Sequence, residues 1–344
     1  MKINVILLIF IIILAFTLRI YGINWGLPSK DYYFSYQSDE VHYIKGLSQM
    51  NPMKLDFNPR YFSWGTWHYF ELGISEAIAG FLKIVRLTKD KYFYYAYPWE
   101  MAKIYLVGRF LSVFFALGTI LLVYLIGKKI SNEKTALLTA FFLAINPAHI
   151  LFSHYLKADI SVTFWVTLLL FFLIFLLETG KLKWYILSGI TSAFAVGTQH
   201  NGFSFIHSLF AAHCLLSYRQ GEGLFINFKN VVLSKKLLKG YLVLIFTYLL
   251  VSPYVILSSK AFFSGIFDAL LGREGMGIDR IYRSNIILDT LRVFNVSLTP
   301  SFLLLGILGI FYGIFSKSRK ILLVLIWLLP YLVIMLVMSA FEIR

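Results

Sequence analysis

The sequence predicts an all-α protein threaded repeatedly through a membrane, and two observations carry that prediction. Of 344 residues, 59% are hydrophobic and only 14% charged, where a soluble domain has about a quarter charged. The apolar residues also fall in blocks of about twenty, the length that crosses a hydrocarbon core of roughly 30 Å. The formal net charge of +15 is then no signal of nucleic-acid binding. Basic loops of membrane proteins set orientation, and no nucleic-acid partner is expected.

Apolar blocks place about nine spans, at 3–22, 102–127, 134–153, 159–178, 184–199, 201–218, 240–257, 299–316 and 321–341. The first lacks a small-residue cleavage site and reads as a retained span rather than a signal peptide. With Met1 and Lys2 in the cytoplasm, the cytoplasmic connections hold Lys128, Lys129, Lys181, Lys183, the 219–239 loop and the 317–320 turn. All are short and basic, as the positive-inside rule requires. Of the seventeen acidic residues, only Glu133, Glu178 and Glu222 fall on that side. Acidic chemistry is therefore expected outside, in the cell membrane's extracytoplasmic face.

Two external loops follow from this threading, 23–101 and 258–298, within a single module covering 1–344. The first is too long for a connector. It holds a predicted helix near 39–50, an aromatic stretch from Asn58 to Phe70, and an apolar run to Val85 interrupted by Glu71 and Glu76. Aromatics of this kind suit the boundary of lipid and water, so helices lying on the membrane are expected there. The lone Cys214 excludes an internal disulfide, and no Cys/His spacing resembles a zinc site. His200 and His207 read as polar helix contacts.

The most chemically pointed feature is the pair Asp39-Glu40, about twenty residues past the first span. Packing explains such a pair poorly; a base held at the membrane surface explains it well. The Asp-Glu pair after span one, the Asn-Pro and aromatic stretch, and the run from Arg109 to Lys129 resemble the protein O-mannosyltransferase-like group, glycosyltransferase family 39. Lipid A aminoarabinose transferases share its broad GT-C fold. The turn His154-Tyr-Leu-Lys-Ala-Asp159 resembles a second acidic position of the group, and Ser252-Pro-Tyr254 a later span end. Gln37-Ser38 stands where many relatives have His-Pro, and Gln199 where some have lysine. Relatives usually continue beyond the position of Arg344, so the resemblance implies a C-terminally truncated chain.

The resemblance implies transfer of a sugar from a polyprenyl-phosphate carrier to an acceptor hydroxyl of a protein, glycan or lipid, with inversion. Phosphate leaves without needing a proton, unlike the alcohol in glycoside hydrolysis, so one carboxylate base suffices. Asp39 takes that role, with Glu40 orienting it or binding acceptor; the plain alternative is that Asp39 caps the helix that follows. Asp159 is expected to orient the acceptor or a basic partner, or else to be an N-cap near a helix dipole. Arg273, Arg280 and Arg283, in a glycine-containing external stretch, are candidates to hold the leaving phosphate, against a solvated loop. Lys157 and Arg109 are weaker candidates, and Arg109 is expected to be paired within the bundle. His42 and His68 are placed to touch sugar hydroxyls. Trp64, Trp67, Tyr61 and Tyr69 would stack on sugar or prenyl chain, or anchor in the interface. No cofactor is fixed, although Asp39, Glu40 and Asp159 would also hold a divalent metal ion. A transporter of lipid-linked saccharide, or a non-catalytic carrier-binding homologue, is the alternative class. Transporters show internal repeats and midplane charges, and neither is visible here.

Overall fold

A computed structural model describes residues 2–217, 231–270, 286–316 and 318–341. The candidate phosphate-binding residues Arg273, Arg280 and Arg283 lie outside the described residues. Apart from one isolated bridge between Asn51 and Asp56, regular structure among the described residues is helical: α1 (Lys2–Ile20), α2 (Ser38–Gln49), α3 (Thr66–Phe81), α4 (Lys91–Ala96), α5 (Pro98–Ile130), α6 (Glu133–Ala144), α7 (Pro147–Ser153), α8 (Ala158–Thr179), α9 (Leu182–Thr198), α10 (His207–Ser217), α11 (Lys235–Val251), α12 (Tyr254–Leu257), α13 (Ser259–Leu270), α14 (Ile286–Phe315) and α15 (Arg319–Phe341).

Among the described residues, α1, α5 and α8 are long and apolar enough to cross a membrane. The pair α6 and α7, bent by 57°, makes a fourth if counted as one span. Nine continuous spans were expected, and the difference has local causes. Pro147 opens α7 and forces Asn146 into an extended conformation, so the block at 134–153 breaks in the middle. At 201–218 the chain instead makes a short 3-10 segment, His200–Phe205, and only an 11-residue helix follows. Gln199 is extended there and ends α9. Helices α9 and α11 have 17 residues each, about 26 Å of rise, just under a full crossing. The last two blocks fall within α14 and α15, each with a proline inside.

Helix α8 forms the centre of the bundle. Leu169, Leu173, Ile174 and Leu176 are fully buried in one cluster with residues of α9, α10, α11 and α15. A helix apolar on every face suits a position surrounded by other helices. At its C-terminal end, Glu178 pairs with Lys129 of α5 (3.0 Å) and Lys320 of α15 (2.7 Å). Helices α9 and α11 meet more closely than any side chain would allow. A methyl group on Gly189 would collide with the carbonyl oxygen of Gly240 and reach the Leu244 nitrogen at 3.2 Å. Both obstacles are backbone, so Gly189→Ala must part the helices. A loss of about 1–3 kcal/mol is expected for such overpacking, read as a lower melting temperature in detergent.

The long segment after α1 is folded rather than strung out. Helix α3 buries Thr66, His68, Tyr69, Leu72, Glu76 and Ala79 and exposes Ile74, Ile78 and Phe81. Two opposed faces fit a helix with protein on one side and lipid or interface on the other. Glu76 is an oddity on the buried face, with neither carboxylate oxygen hydrogen-bonded among the described residues. Burial pushes its pKa up to about 8. An unfolded glutamate loses its proton near 4.5, whereas the folded one keeps it to about 8. Stability should therefore fall, by a few kcal/mol in all, as pH rises between those values. Glu76→Gln should remove this slope and melt higher than the parent at pH 8, a difference that vanishes near pH 4.5.

Candidate active site

Two short pieces of chain, the start of α2 and the turn before α8, meet at Glu40, which is itself held in a buried ion pair with Arg109 of α5. Glu40 is 0% and Arg109 1% exposed. Arg109 Nε donates to Glu40 Oε1 at 2.9 Å and Nη2 to Oε2 at 2.8 Å, the bidentate geometry that a guanidinium fork favours. Its Nη1 donates to the carbonyls of Ile23 (2.6 Å) and Trp25 (2.8 Å). Glu40 in turn accepts from Ser35 Oγ and from the backbone N–H of Leu156 (2.7 Å). The arginine expected to be paired in the bundle is thus paired with the second acid of the Asp-Glu motif. Gly108, beside Arg109, makes this approach possible, because a side chain there would collide with Leu156. Glu40 has no surface to offer an acceptor, so the expected acceptor contact gives way to an anchoring one.

Asp39 is in a different environment, one residue away. Its side chain is 29% exposed, and Oδ2 lies 2.7 Å from the Lys157 ammonium. That ammonium also lies 3.5 Å from Asp159 Oδ2, an ion pair too long to be a good hydrogen bond. Asp159, 33% exposed in its side chain, leaves Oδ2 without a hydrogen bond among the described residues. Burial disfavours the charge on Lys157, but Asp159 and Asp39 outweigh it and raise its pKa above the ordinary lysine value.

The capping alternatives fall away. Gln37 is the N-cap of α2, accepting from the Asp39 backbone N–H at 2.6 Å, and Asp39 sits inside the first turn. Lys157 stands at the N-cap position of α8, and Asp159 too lies inside the helix. Both carboxylates favour the positive end of a helix, but neither closes it.

The turn carrying Lys157 is held from several sides. Ser112 of α5 donates to the Tyr155 carbonyl (2.7 Å), His154 reaches the Tyr21 carbonyl (2.8 Å), and the Ala158 N–H donates to the Tyr43 hydroxyl (3.3 Å). Tyr43 and His42 follow Asp39 at helical spacing. His42 stacks on Tyr61, with centroids 5.3 Å apart, and meets the edge of Trp64 at 5.7 Å. Trp64 stacks on Tyr43 at 4.8 Å. These rings form an aromatic wall beside the carboxylates.

His68 meets that wall only from the protein interior, its ring edge-on to Tyr43 at 5.1 Å. It is 1% exposed, and its Nδ1 lies 2.9 Å from Glu71 Oε2. Glu71 also accepts from Ser161 Oγ (2.6 Å) and Trp165 Nε1 (2.8 Å) of α8. This buried network pins α3 to α8, so the expected sugar contact from His68 is withdrawn. Trp67 packs on Phe194 of α9, at 4.7 Å. Sequence reasoning ranked Lys157 low and did not foresee the Glu71 network; an acid on the apolar face of α3 was the available signal.

The three acids suggested as metal ligands do not fit one. All polar capacity of Glu40 is spent on Arg109, Ser35 and Leu156. Between Asp39 and Asp159 stands a lysine. Among the described residues, no group of three His, Cys, Asp or Glu is placed to hold an ion, whereas hard divalent cations want about six oxygens. A separate open groove of about 790 Å³ runs between the end of α3 and the start of α5, with Lys83, Arg86 and Lys103 among apolar residues including Leu87 and Trp99. Glu100 also lines it and pairs with Lys103 at 2.6 Å.

A helical bundle with membrane-length helices and an acidic cluster beside its first long loop is consistent with the GT-C class of fold. Comparison with known proteins agrees. Residues 103–227 match the family model described as dolichyl-phosphate-mannose-protein mannosyltransferase. The crystal structure of the Archaeoglobus fulgidus oligosaccharyltransferase in complex with Zn and sulfate is similar, with a TM-score of 0.57 at 17% identity, over 98% of this chain and 48% of that one. The archaeal oligosaccharyltransferase AglB from Archaeoglobus fulgidus, in complex with an inhibitory peptide and a dolichol-phosphate, gives 0.57 at 15% identity, over 99% and 49%. The chain spans about half the length of these enzymes, and at such identities the likeness is one of fold. No curated protein sequence matches.

Proposed function

We propose that the chain is an integral-membrane, inverting glycosyltransferase that moves a sugar from a polyprenyl-phosphate carrier to an acceptor hydroxyl on the extracytoplasmic side of the cell membrane. One observation carries the reading: Asp39 and Asp159, 120 positions apart in the sequence, share one ammonium at a partly exposed site of a GT-C-like fold. In the reaction, the acceptor oxygen attacks the anomeric carbon from the face opposite the phosphate. The bond from that carbon to the phosphate oxygen breaks with its electron pair, and the acceptor proton passes to Asp39. Asp39 Oδ2 is held by Lys157, while Oδ1 makes no hydrogen bond among the described residues and is the proton acceptor. Asp159, whose side chain is 33% exposed, receives and orients the acceptor hydroxyl. His42, Tyr61 and Trp64 offer a stacking face to the sugar.

The leaving group is a phosphate monoester needing no proton, and cations must hold its growing charge. Arg273, Arg280 and Arg283 are proposed for this, because Arg109 is fully engaged. Nine passages of the chain through the bilayer belong to this proposal, as does mannose-like donor specificity. The dolichol-phosphate and peptide bound to the archaeal neighbour support a lipid-linked donor and a protein acceptor. The test is release of free polyprenyl phosphate by the full chain in membranes, over a panel of polyprenyl-phosphate sugars and a mixed acceptor extract. One productive donor would support the reading and name the sugar; silence with every donor and acceptor would remove it.

A further inference from the structure

The position between Asp39 and Asp159, where a two-carboxylate site would take a metal, is filled by the protein itself. We propose that the Lys157 ammonium is the built-in cation of this site, standing in place of a divalent metal ion, so that the site works metal-free and becomes a divalent-ion site only when the ammonium is removed. The proposal rests on the glycosyltransferase reading for its catalytic part and on geometry alone for its binding part.

Lys157 Nζ is 2.7 Å from Asp39 Oδ2, a charge-assisted hydrogen bond, and 3.5 Å from Asp159 Oδ2. A metal bridging the two carboxylates would have to displace the ammonium that already contacts both. The lysine side chain is 14% exposed and lies against the Phe152 ring, with Nζ 5.7 Å from its centroid. It is therefore a seated group and not a surface lysine passing by. Its backbone is equally fixed, because Leu156 is tied to Glu40 and Ala158 to Tyr43. Among the described residues no third acid or histidine joins them in a metal-holding group, and Glu40 is saturated by Arg109.

Charge decides between the two cations. Two carboxylates facing one another need positive charge to approach this closely. One ammonium leaves the trio at −1, enough to bring Asp39 and Asp159 together while keeping net negative charge for a proton acceptor. A divalent ion would neutralise the pair and occupy the oxygens the acceptor needs. Lys157 thus acts as a positioning residue, working through Asp39 and Asp159.

The test uses the full chain, purified in detergent and titrated with Mn²⁺ alone, beside Lys157→Met and Lys157→Arg. Methionine keeps the stem and its packing without the charge, so folding is expected to survive; a matching melting temperature in metal-free buffer checks this. The parent and Lys157→Arg should bind no Mn²⁺ at this site, whereas Lys157→Met should bind it at least about ten-fold more tightly than the parent, a step of about 1.4 kcal/mol. Adding Asp39→Asn to Lys157→Met should abolish the gain. In turnover, EDTA should leave the parent unchanged; Lys157→Met should lose kcat far more than KM, with partial rescue by Mn²⁺ or by arginine. Stoichiometric metal in the parent, EDTA inhibition reversed by metal, or no Mn²⁺ binding by Lys157→Met would each overturn the proposal. Because Mn²⁺ binding is read without turnover, failure of the glycosyltransferase reading would be seen separately, as silence of the parent with every donor.

Discussion

Asp39→Asn should lower the rate of polyprenyl phosphate release by two or more orders of magnitude at equal expression, with little change in stability. The substitution is nearly isosteric, and the amide oxygen can still accept from Lys157. What it removes is the capacity to take a proton from the acceptor hydroxyl, and general-base catalysis is typically worth about 10²–10⁴-fold. The stability cost should be small, because Asp39 and Lys157 form a partly exposed pair, and such pairs contribute about 0–1 kcal/mol. Turnover and melting temperature measured on the same preparation check both halves. Full activity in the variant would return Asp39 to a structural role, and since Gln37 already caps α2, that role would be the pairing with Lys157 alone.

Glu40→Ala should behave in the opposite way, with stability failing first. The change strands the Arg109 guanidinium in a fully buried site, together with the Leu156 N–H and the Ser35 hydroxyl. Breaking a buried pair by removing one partner costs about 3–5 kcal/mol. That is a large fraction of the roughly 5–15 kcal/mol separating folded from unfolded protein. Poor yield of monodisperse protein and a much lower melting temperature are expected. The double variant Glu40→Met with Arg109→Met should recover part of the loss, since no charge is left behind. Recovery should be incomplete, because the carbonyls of Ile23 and Trp25 and the Leu156 N–H still lose their partners. A Glu40→Ala protein as stable as the parent would contradict the anchoring role.

The sequence announced the broad plan and withheld the wiring. Apolar blocks of membrane length gave the positions of α1, α5 and α8, because hydrophobic length is a local property. The helix after Gln37 was equally visible, predicted at 39–50 and found at Ser38–Gln49. The block at 201–218 misled, because hydropathy averages over a window and is blind to the 3-10 segment His200–Phe205 that takes up its start. Lys157 was undervalued for a related reason. Its neighbour Asp159 is two residues away, but Asp39 is 118 positions distant, and nothing local says the two will meet. Arg109 was easier, since a lone guanidinium in an apolar run has to find a carboxylate; which one was a matter of tertiary structure. His68 was expected to touch sugar because its aromatic surroundings resemble an interfacial belt, whereas Glu71, three residues on, binds it in the interior.

The two segments that build the site are joined by two parallel rungs. Glu40 grips the backbone at Leu156, and one step outward Asp39 grips the side chain of Lys157. The inner rung is dry and saturated, while the outer one is wet and has oxygens to spare. An adjacent pair of acids that reads as one motif is therefore a division of labour between a foundation and a tool. Assays of activity alone would score both as essential and miss the distinction. It also means that the outer rung can be rebuilt for another acceptor or another cation without disturbing what holds it up, whereas the inner one leaves almost no room for change.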